Sequence, residues 1–333
     1  MIPRIRIAHL PTPVEALPKL TLALGGPKLF VKRDDQTGLA FGGNKTRKLE
    51  YLIAEAQAHG AKTLITSGAV QSNHCRQTAA AAAKFGLRCI LVLSGQIPNF
   101  PSANLLLDHL FGAEIVWSGR REREVVLHET FQRAWNEGRR PYLVPYGGSS
   151  PTGAAAYTFA LQELLEQVQD EPLSGCPPNW IVFASSSGGT QAGLALGAKL
   201  FGFQGKILGI SVDEPAEELN KRVAALAGEI ADHIGESGSI VPENVLVNDD
   251  YNTAGYGVLG DSEREAIRLF AQSEGLLLDP VYTGRAAAGM IDLIRQGFFS
   301  SDDTILFWHT GGTPGLFADK YRNLIEKWRS SNE

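Results

Sequence analysis

The sequence predicts an α/β protein, with strands in open, mostly parallel sheets flanked by helices and a chain that divides into two lobes. Three observations carry this. Its 333 residues amount to about two domains of ~150 residues each. Short β-branched runs alternate with amphipathic or alanine-rich stretches, the pattern of strands joined by crossover helices. The 36 glycines exceed the typical share of ~7%, and several stand in pairs where such a run hands over to a helix.

In chain order, KLFV at Lys28 reads as the first strand. A helix follows, in which Leu49, Leu52, Ile53 and Ala56 recur at helical spacing and Gly60 stands where a C-terminal cap belongs. TLIT at Thr63 is the next strand, and the alanine-rich stretch from Ser72 to Phe85 the next helix, stopped by Gly86. CILVL at Cys89, EIVW at Glu114, WIVFA at Trp180, ILGISV at Ile207 and TILFW at Thr304 continue the alternation. The stretch most like a linker is DEPLSGCPPN, residues 170–179, and a lobe boundary is expected near residues 155–180.

Composition excludes several classes. Charged residues are 20% and hydrophobic residues 44%, an ordinary globular balance without the bias of disorder. A formal charge of −5 provides no basic stripe for nucleic acid. No run approaches the ~18 apolar residues of a membrane span, and the N-terminus lacks the apolar core of a signal peptide. Cys75, Cys89 and Cys176 show no C-x-x-C spacing, so neither a disulfide framework nor a zinc knuckle is expected and a cytoplasmic setting fits best.

The chemistry gathers in glycine-rich loops. GLAFGGNKTRKLE, from Gly38, fails as a phosphate-binding P-loop because Asn44 intervenes between Gly43 and Lys45. It crowds Lys45, Arg47 and Lys48 where a helix start prefers carboxylates. These are either solvated surface cations or a site in which Lys45 acts as an amine nucleophile of lowered pKa. SGAVQSNHC follows a strand and opens a helix with Ser72 as N-cap; Gln71, Ser72 and Asn73 offer donors suited to a carboxylate, though for one isolated triplet a ligand-free capped helix is the first reading. His74 alone is more often structural than a base. In SSSGGTQAG, Ser187, Gly188, Gly189 and Thr190 form a phosphate-sized nest at a helix start, without the dinucleotide fingerprint. HTGGTPG repeats the design and offers Thr310, where a plain turn is as consistent. The pairs Asp34-Asp35, Asp249-Asp250 and Asp302-Asp303 read as solvated loop or cap residues, and no metal is expected.

Long ordered motifs then narrow the reading. LPTPVEALPKL, VKRDDQTGLAFGGNKTRKLE, QSNHCRQTAAAAAKFGL, PYGGSSPTGAAAY, DPVYTGRAAAGM and FWHTGG resemble, nearly end to end, the family of D-cysteine desulfhydrase and 1-aminocyclopropane-1-carboxylate deaminase. These are pyridoxal phosphate enzymes of the tryptophan-synthase-β type, or fold type II. The resemblance implies a large cofactor-binding domain of residues 1–45 and 158–333, a small domain of residues 46–157, the cofactor between them, and a homodimer. It implies that Lys45 carries pyridoxal 5'-phosphate as a Schiff base, that Asn73 bonds its phenolic oxygen, that Ser187 to Thr190 hold its phosphate, and that Thr310 faces its ring nitrogen. Ser72, with Gln71, Asn73 and His74, would take the substrate carboxylate, and Tyr282 and Tyr256 would line the reacting carbons. Thr283 stands where the cyclopropane-opening members carry glutamate. A neutral hydroxyl cannot stabilise a protonated ring nitrogen as a carboxylate does, which favours elimination of a β-thiolate. The activity implied is conversion of D-cysteine to pyruvate, ammonia and hydrogen sulfide. Deamination of the cyclopropane amino acid or elimination of sulfite from cysteate is the alternative on the same scaffold, and a phosphate- or nucleotide-binding protein without the cofactor a remoter one.

Overall fold

The computed structural model describes residues 2–324. In chain order the elements are β1 (Val14–Ala16), α1 (Pro18–Leu24), β2 (Lys28–Lys32), α2 (Asn44–Ala58), β3 (Thr63–Ala69), α3 (Asn73–Lys84), β4 (Arg88–Ser94), α4 (Ala103–Leu110), β5 (Glu114–Trp117), α5 (Arg123–Asn136) and β6 (Pro141–Leu143). There follow α6 (Pro151–Gln167), β7 (Trp180–Ser185), α7 (Gly189–Phe201), β8 (Lys206–Ser211), α8 (Ala216–Ile234), β9 (Leu246–Asn248), α9 (Asp261–Glu274), α10 (Thr283–Arg295) and β10 (Thr304–Trp308).

Two sheets result. One runs β1-β2-β10-β7-β8-β9 and the other β5-β4-β3-β6. Every pairing is parallel except β1 with β2. Parallel strands need crossover helices, so both faces of each sheet are covered and the central strands read as continuous apolar runs. All six residues of β7 are buried, as are Ile90 to Leu93 of β4. Those runs were therefore visible in the sequence, whereas the three-residue edge strands β1, β6 and β9 were too short to stand out.

Two expectations change. The stretch 170–179 is a turn from α6 into β7 of the six-stranded sheet rather than a free segment between the two sheets. The boundaries at 45/46 and 157/158 fall inside α2 and α6, which pack against each other, so continuous helices rather than a linker join the two sheets.

The cations of α2 are not a solvated face. Arg47 and Lys48 are buried. Asp34, expected in solvent, is fully buried and accepts from Arg47 Nε (3.0 Å) and Nη2 (2.8 Å), Tyr157 Oη (2.5 Å), Trp308 Nε1 (2.8 Å) and Thr12 Oγ1 (2.9 Å). Arg47 also reaches Glu163 on α6, which accepts from Lys32 Nζ at 2.6 Å. The guanidinium holds the Asp34 carboxyl below its usual range against the opposing effect of burial. The other acid pairs are surface features: Asp249 accepts from the first amide of α8 at 2.7 Å, and Asp303 from Trp180 Nε1 at 3.1 Å.

Candidate active site

In parallel sheets the loops leaving the carboxyl ends of strands form the ligand crevice, and here the loops after β3, β7 and β10 meet the start of α2. Lys45, Ser72, Asn73, Ser187, Gly188, Thr190, Tyr282 and Thr310 line one cavity. The lysine turn is fastened by backbone: Asn44 N–H donates to Thr310 O at 3.0 Å and Gly43 N–H to Asp34 O at 2.9 Å. A Cβ on Gly311 would stand 2.5 Å from Gly43 Cα, so these two turns touch only because both are glycines.

Lys45 lies in the first turn of α2. Its side chain keeps some surface open to the cavity, yet its amine is withdrawn from bulk water, and desolvation lowers its pKa to about 8. No hydrogen bond or ion pair holds it among the described residues. Lys48, one turn on, is fully buried; its Nζ donates to Gly147 O (3.1 Å) and Ser149 Oγ (3.3 Å) and has no carboxylate partner among the described residues. Burial, then the neighbouring Lys45, push its pKa far down.

The nest after β7 is built around that amine. Gly188 takes φ +82°, the left-handed conformation glycine tolerates best, and caps α7 without a side chain. The Gly189 amide donates to Ser149 Oγ at 3.2 Å, Ser149 bonds Ser187 at 2.8 Å, and Asn44 Nδ2 donates to Thr190 Oγ1 at 3.1 Å. A Cβ on Gly189 would lie 2.4 Å from Ser149 Oγ and 2.9 Å from Lys48 Nζ. A helix N-terminus and the Ser187 and Thr190 hydroxyls face this end of the cavity, backed by Ser149 and by a Lys48 amine with no carboxylate partner among the described residues; this is a set of donors that a phosphate fits.

On the opposite wall Ser72 caps α3, accepting from Cys75 N–H at 3.2 Å. His74 Nε2 lies 2.9 Å from Thr66 Oγ1, whose own proton goes to Val144 O (2.8 Å), so Nε2 is the donor. Burial and the nearby lysines push the His74 pKa well down, keeping the ring neutral. Tyr282 and Tyr256 hydroxyls are 2.6 Å apart, and burial raises both phenols, which stay protonated.

Three expected substrate contacts lie elsewhere. Gln71 is spent on the start of α4, bonding Ser102 O and the Asn104 amide. Thr283 donates to Asp279 Oδ1 at 2.8 Å and accepts the Asp279 amide at 2.8 Å, inside a cap where Asp279 also accepts the amides of Val281, Tyr282 and Thr283; it does not line the cavity. Tyr256 reaches the cavity only through Tyr282 and lines an adjoining hollow with Tyr146 and Ser187. Sequence reasoning missed Lys48, Asn44 and Ser149 as site residues. The doublet Gly147-Gly148 before Ser149 was the available signal, since it matches the other glycine loops.

Residues 5–311 match the family described as pyridoxal-phosphate dependent enzyme. Curated relatives include D-cysteine desulfhydrases of Salmonella typhi and Salmonella newport (strain SL254), each 43% identical over 322 residues, covering 95% of this chain and 96% of the relative. Among solved structures, an ACC deaminase homologue is 37% identical with a TM-score of 0.87, over 97% of this chain and 96% of that one. Diaminopropionate ammonia lyase of Escherichia coli, 18% identical with a TM-score of 0.66 over 96% of this chain and 87% of that one, shares the fold. The chain belongs to the family of pyridoxal-phosphate dependent enzymes, in its fold type II branch, as its motifs indicated. Its cofactor is accordingly pyridoxal phosphate.

Proposed function

We propose that this enzyme is a carbon-sulfur lyase that converts D-cysteine to pyruvate, ammonia and hydrogen sulfide. The observation that carries the reading is the unpartnered Lys45 amine, of lowered pKa, between a carboxylate-suited helix start and a phosphate-suited one. The D-cysteine desulfhydrases at 43% identity support the choice of substrate.

Pyridoxal phosphate, when bound, supplies an electron-poor ring that acidifies the carbon bearing the substrate amine. Lys45 would hold it, with Ser187, Gly188, Gly189 and Thr190 around its phosphate, backed by Lys48 and Ser149, Asn73 at its ring oxygen and Thr310 at its ring nitrogen. Ser72 and the first amides of α3 receive the substrate carboxylate, where the helix dipole favours an anion. The Lys45 amine takes the proton from the α carbon as general base. Tyr282, protonated and backed by Tyr256 at 2.6 Å, holds a proton beside the departing sulfur. His74, neutral with its one ring proton on Nε2 toward Thr66, supports the loop and takes no part in the proton transfers. Thr310 would offer the cofactor's ring nitrogen a hydroxyl rather than a carboxylate, which suits expulsion of a good leaving group.

The functional division is residues 1–45 with 158–333 against 46–157, with α2 and α6 spanning it. A homodimer in the cytoplasm completes the reading. Leu110 on α4 and Phe317 on the turn packed against it are both 70% exposed and offer an apolar face to a second copy.

The test is to incubate the purified enzyme with D-cysteine, L-cysteine, cysteate and 1-aminocyclopropane-1-carboxylate and assay sulfide, sulfite and keto acid. Sulfide and pyruvate in equal amounts from D-cysteine are expected. Keto acid from the cyclopropane substrate alone, or sulfite from cysteate alone, would sink the assignment.

A further inference from the structure

We propose that Arg76 and Asn104 are positioning residues, which lock the Asn73 side-chain amide so that its NH2 group faces the cavity as a donor to the cofactor's ring oxygen. The proposal rests on the pyridoxal phosphate reading of this site.

An asparagine amide presents an oxygen or an NH2 group depending on which way it is turned, and the two faces have opposite hydrogen-bond sense. Asn73 cannot turn freely. Its Oδ1 accepts from Arg76 Nη1 at 3.0 Å and from Asn104 Nδ2 at 2.9 Å. A guanidinium has donors only, so the reversed amide would set NH2 against N–H and leave a buried donor unpaired. Both acceptor positions of the oxygen are filled, and Nδ2 has no protein partner among the described residues in the cavity wall, 2.8 Å from where a Cβ on Gly312 would stand.

The holders are themselves held. Asn104 Oδ1 accepts from Arg76 Nη1 at 2.8 Å, its Nδ2 also donates to Gln71 O at 2.8 Å, and its backbone amide donates to Gln71 Oε1 at 2.9 Å. Arg76 Nη2 donates to Gly42 O at 3.0 Å, and Gln77 Nε2 donates to the same carbonyl. One guanidinium thus ties the turn that presents Lys45 to the helix that presents Asn73. Arg76 Nε has no partner among the described residues, but the bonds from Nη1 and Nη2 fix the guanidinium against Asn73, Asn104 and Gly42.

Arg76 is fully buried and forms no ion pair among the described residues. Burial lowers its pKa to about 10, while Asp108 from α4 and Asp279 from the segment before α10 act in the opposite sense. It remains a cation at neutral pH, and its charge polarises the Asn73 amide toward stronger donation. A donor on the ring oxygen stabilises the state that has released the proton shared with the lysine nitrogen, so losing the donor raises the pH midpoint of the visible absorption band.

The experiment loads each variant with pyridoxal phosphate, removes the excess and titrates the visible band with pH, with folding checked by circular dichroism. Asn73→Ala is expected to raise the midpoint by about one unit, tenfold in proton affinity. Asn104→Ala and Arg76→Lys are expected to raise it by about half a unit, roughly threefold. Asn104→Asp, which sets an acceptor against Asn73 Oδ1 and favours the turned amide, should match Asn73→Ala. Added to Asn73→Ala, the Asn104→Ala change should do nothing further. An Asn104→Ala shift of equal size with and without Asn73, or none in either background, overturns the proposal while the cofactor site stands. If the wild-type enzyme forms no Lys45-dependent band, or Asn73→Ala leaves the midpoint unmoved, the reading of the site falls and the proposal with it. Should Arg76→Lys not fold, the Asn73 and Asn104 cycle decides alone.

Discussion

At Lys45 a helix-start cation that looks misplaced becomes reactive because it is dry. Its amine pKa, lowered from 10.5 to about 8 by desolvation, makes a pH-dependent expectation for the cofactor-free protein. Only the neutral amine attacks an aldehyde, so the rate at which the visible band appears on adding pyridoxal phosphate should rise about tenfold per pH unit below 8 and level off above it. A rate flat from pH 6 to 9, or a band that survives Lys45→Ala, would contradict the assignment. The stability consequence has a definite sign. Between about 8 and 10.5 the unfolded chain keeps a proton on Lys45 that the folded chain has lost, so this lysine makes the cofactor-free protein more stable as pH rises through that window. Lys48, lowered further, acts in the same direction.

Among the elements, α2 carries both its cationic start and the means of tolerating it. Asp34 from the turn after β2 and Glu163 from α6 neutralise Arg47, leaving Lys45 and Lys48 without acids at the cavity end. Removing one partner of a buried pair strands the other charge, a loss of about 3–5 kcal/mol. Asp34→Asn is therefore expected to lower unfolding stability at pH 7 by ~3 kcal/mol, moderated by the remaining Glu163 contact, as measured by urea unfolding. Because the folded pKa of Asp34 is depressed, its contribution is complete above the unfolded value of 3.8 and fades as pH falls through the folded one. The gap between wild type and variant should then narrow in strong acid. A loss under ~1 kcal/mol at pH 7 would mean that the surrounding network replaces the carboxylate. This network was hidden in the sequence: Asp34-Asp35 is a plain acid pair there, and only the packing of β2, α2, α6 and β10 shows that one of the two has no water.

For the whole molecule, the cavity exists because two sheets turn the carboxyl ends of their strands toward each other across α2 and α6. Lys45 and the nest of Ser187 to Thr190 are separated by more than 140 positions along the chain, yet Asn44 Nδ2 and Thr190 Oγ1 are 3.1 Å apart. The exposed apolar groups on α4 and on the turn beside it lie on the outside of this arrangement. If they meet a second copy, sedimentation should report twice the chain mass, and Leu110→Asp with Phe317→Asp should halve it while the visible band persists. A monomeric wild type at micromolar concentration would dismiss the dimer.

The alternation of strand runs and helical stretches, the parallel sheets, the N-cap at Ser72 and the glycine nest at Gly188-Gly189 were legible in the sequence, because periodicity, capping and glycine conformation are local properties. So was the family, through long ordered motifs. Which cations are buried was not, nor that Gln71 and Thr283 are consumed by α4 and by the Asp279 cap, nor that Arg76 orients Asn73. Burial and hydrogen-bond direction depend on what a distant segment brings to the same place, and those neighbours are chosen only when the two sheets close on the cavity.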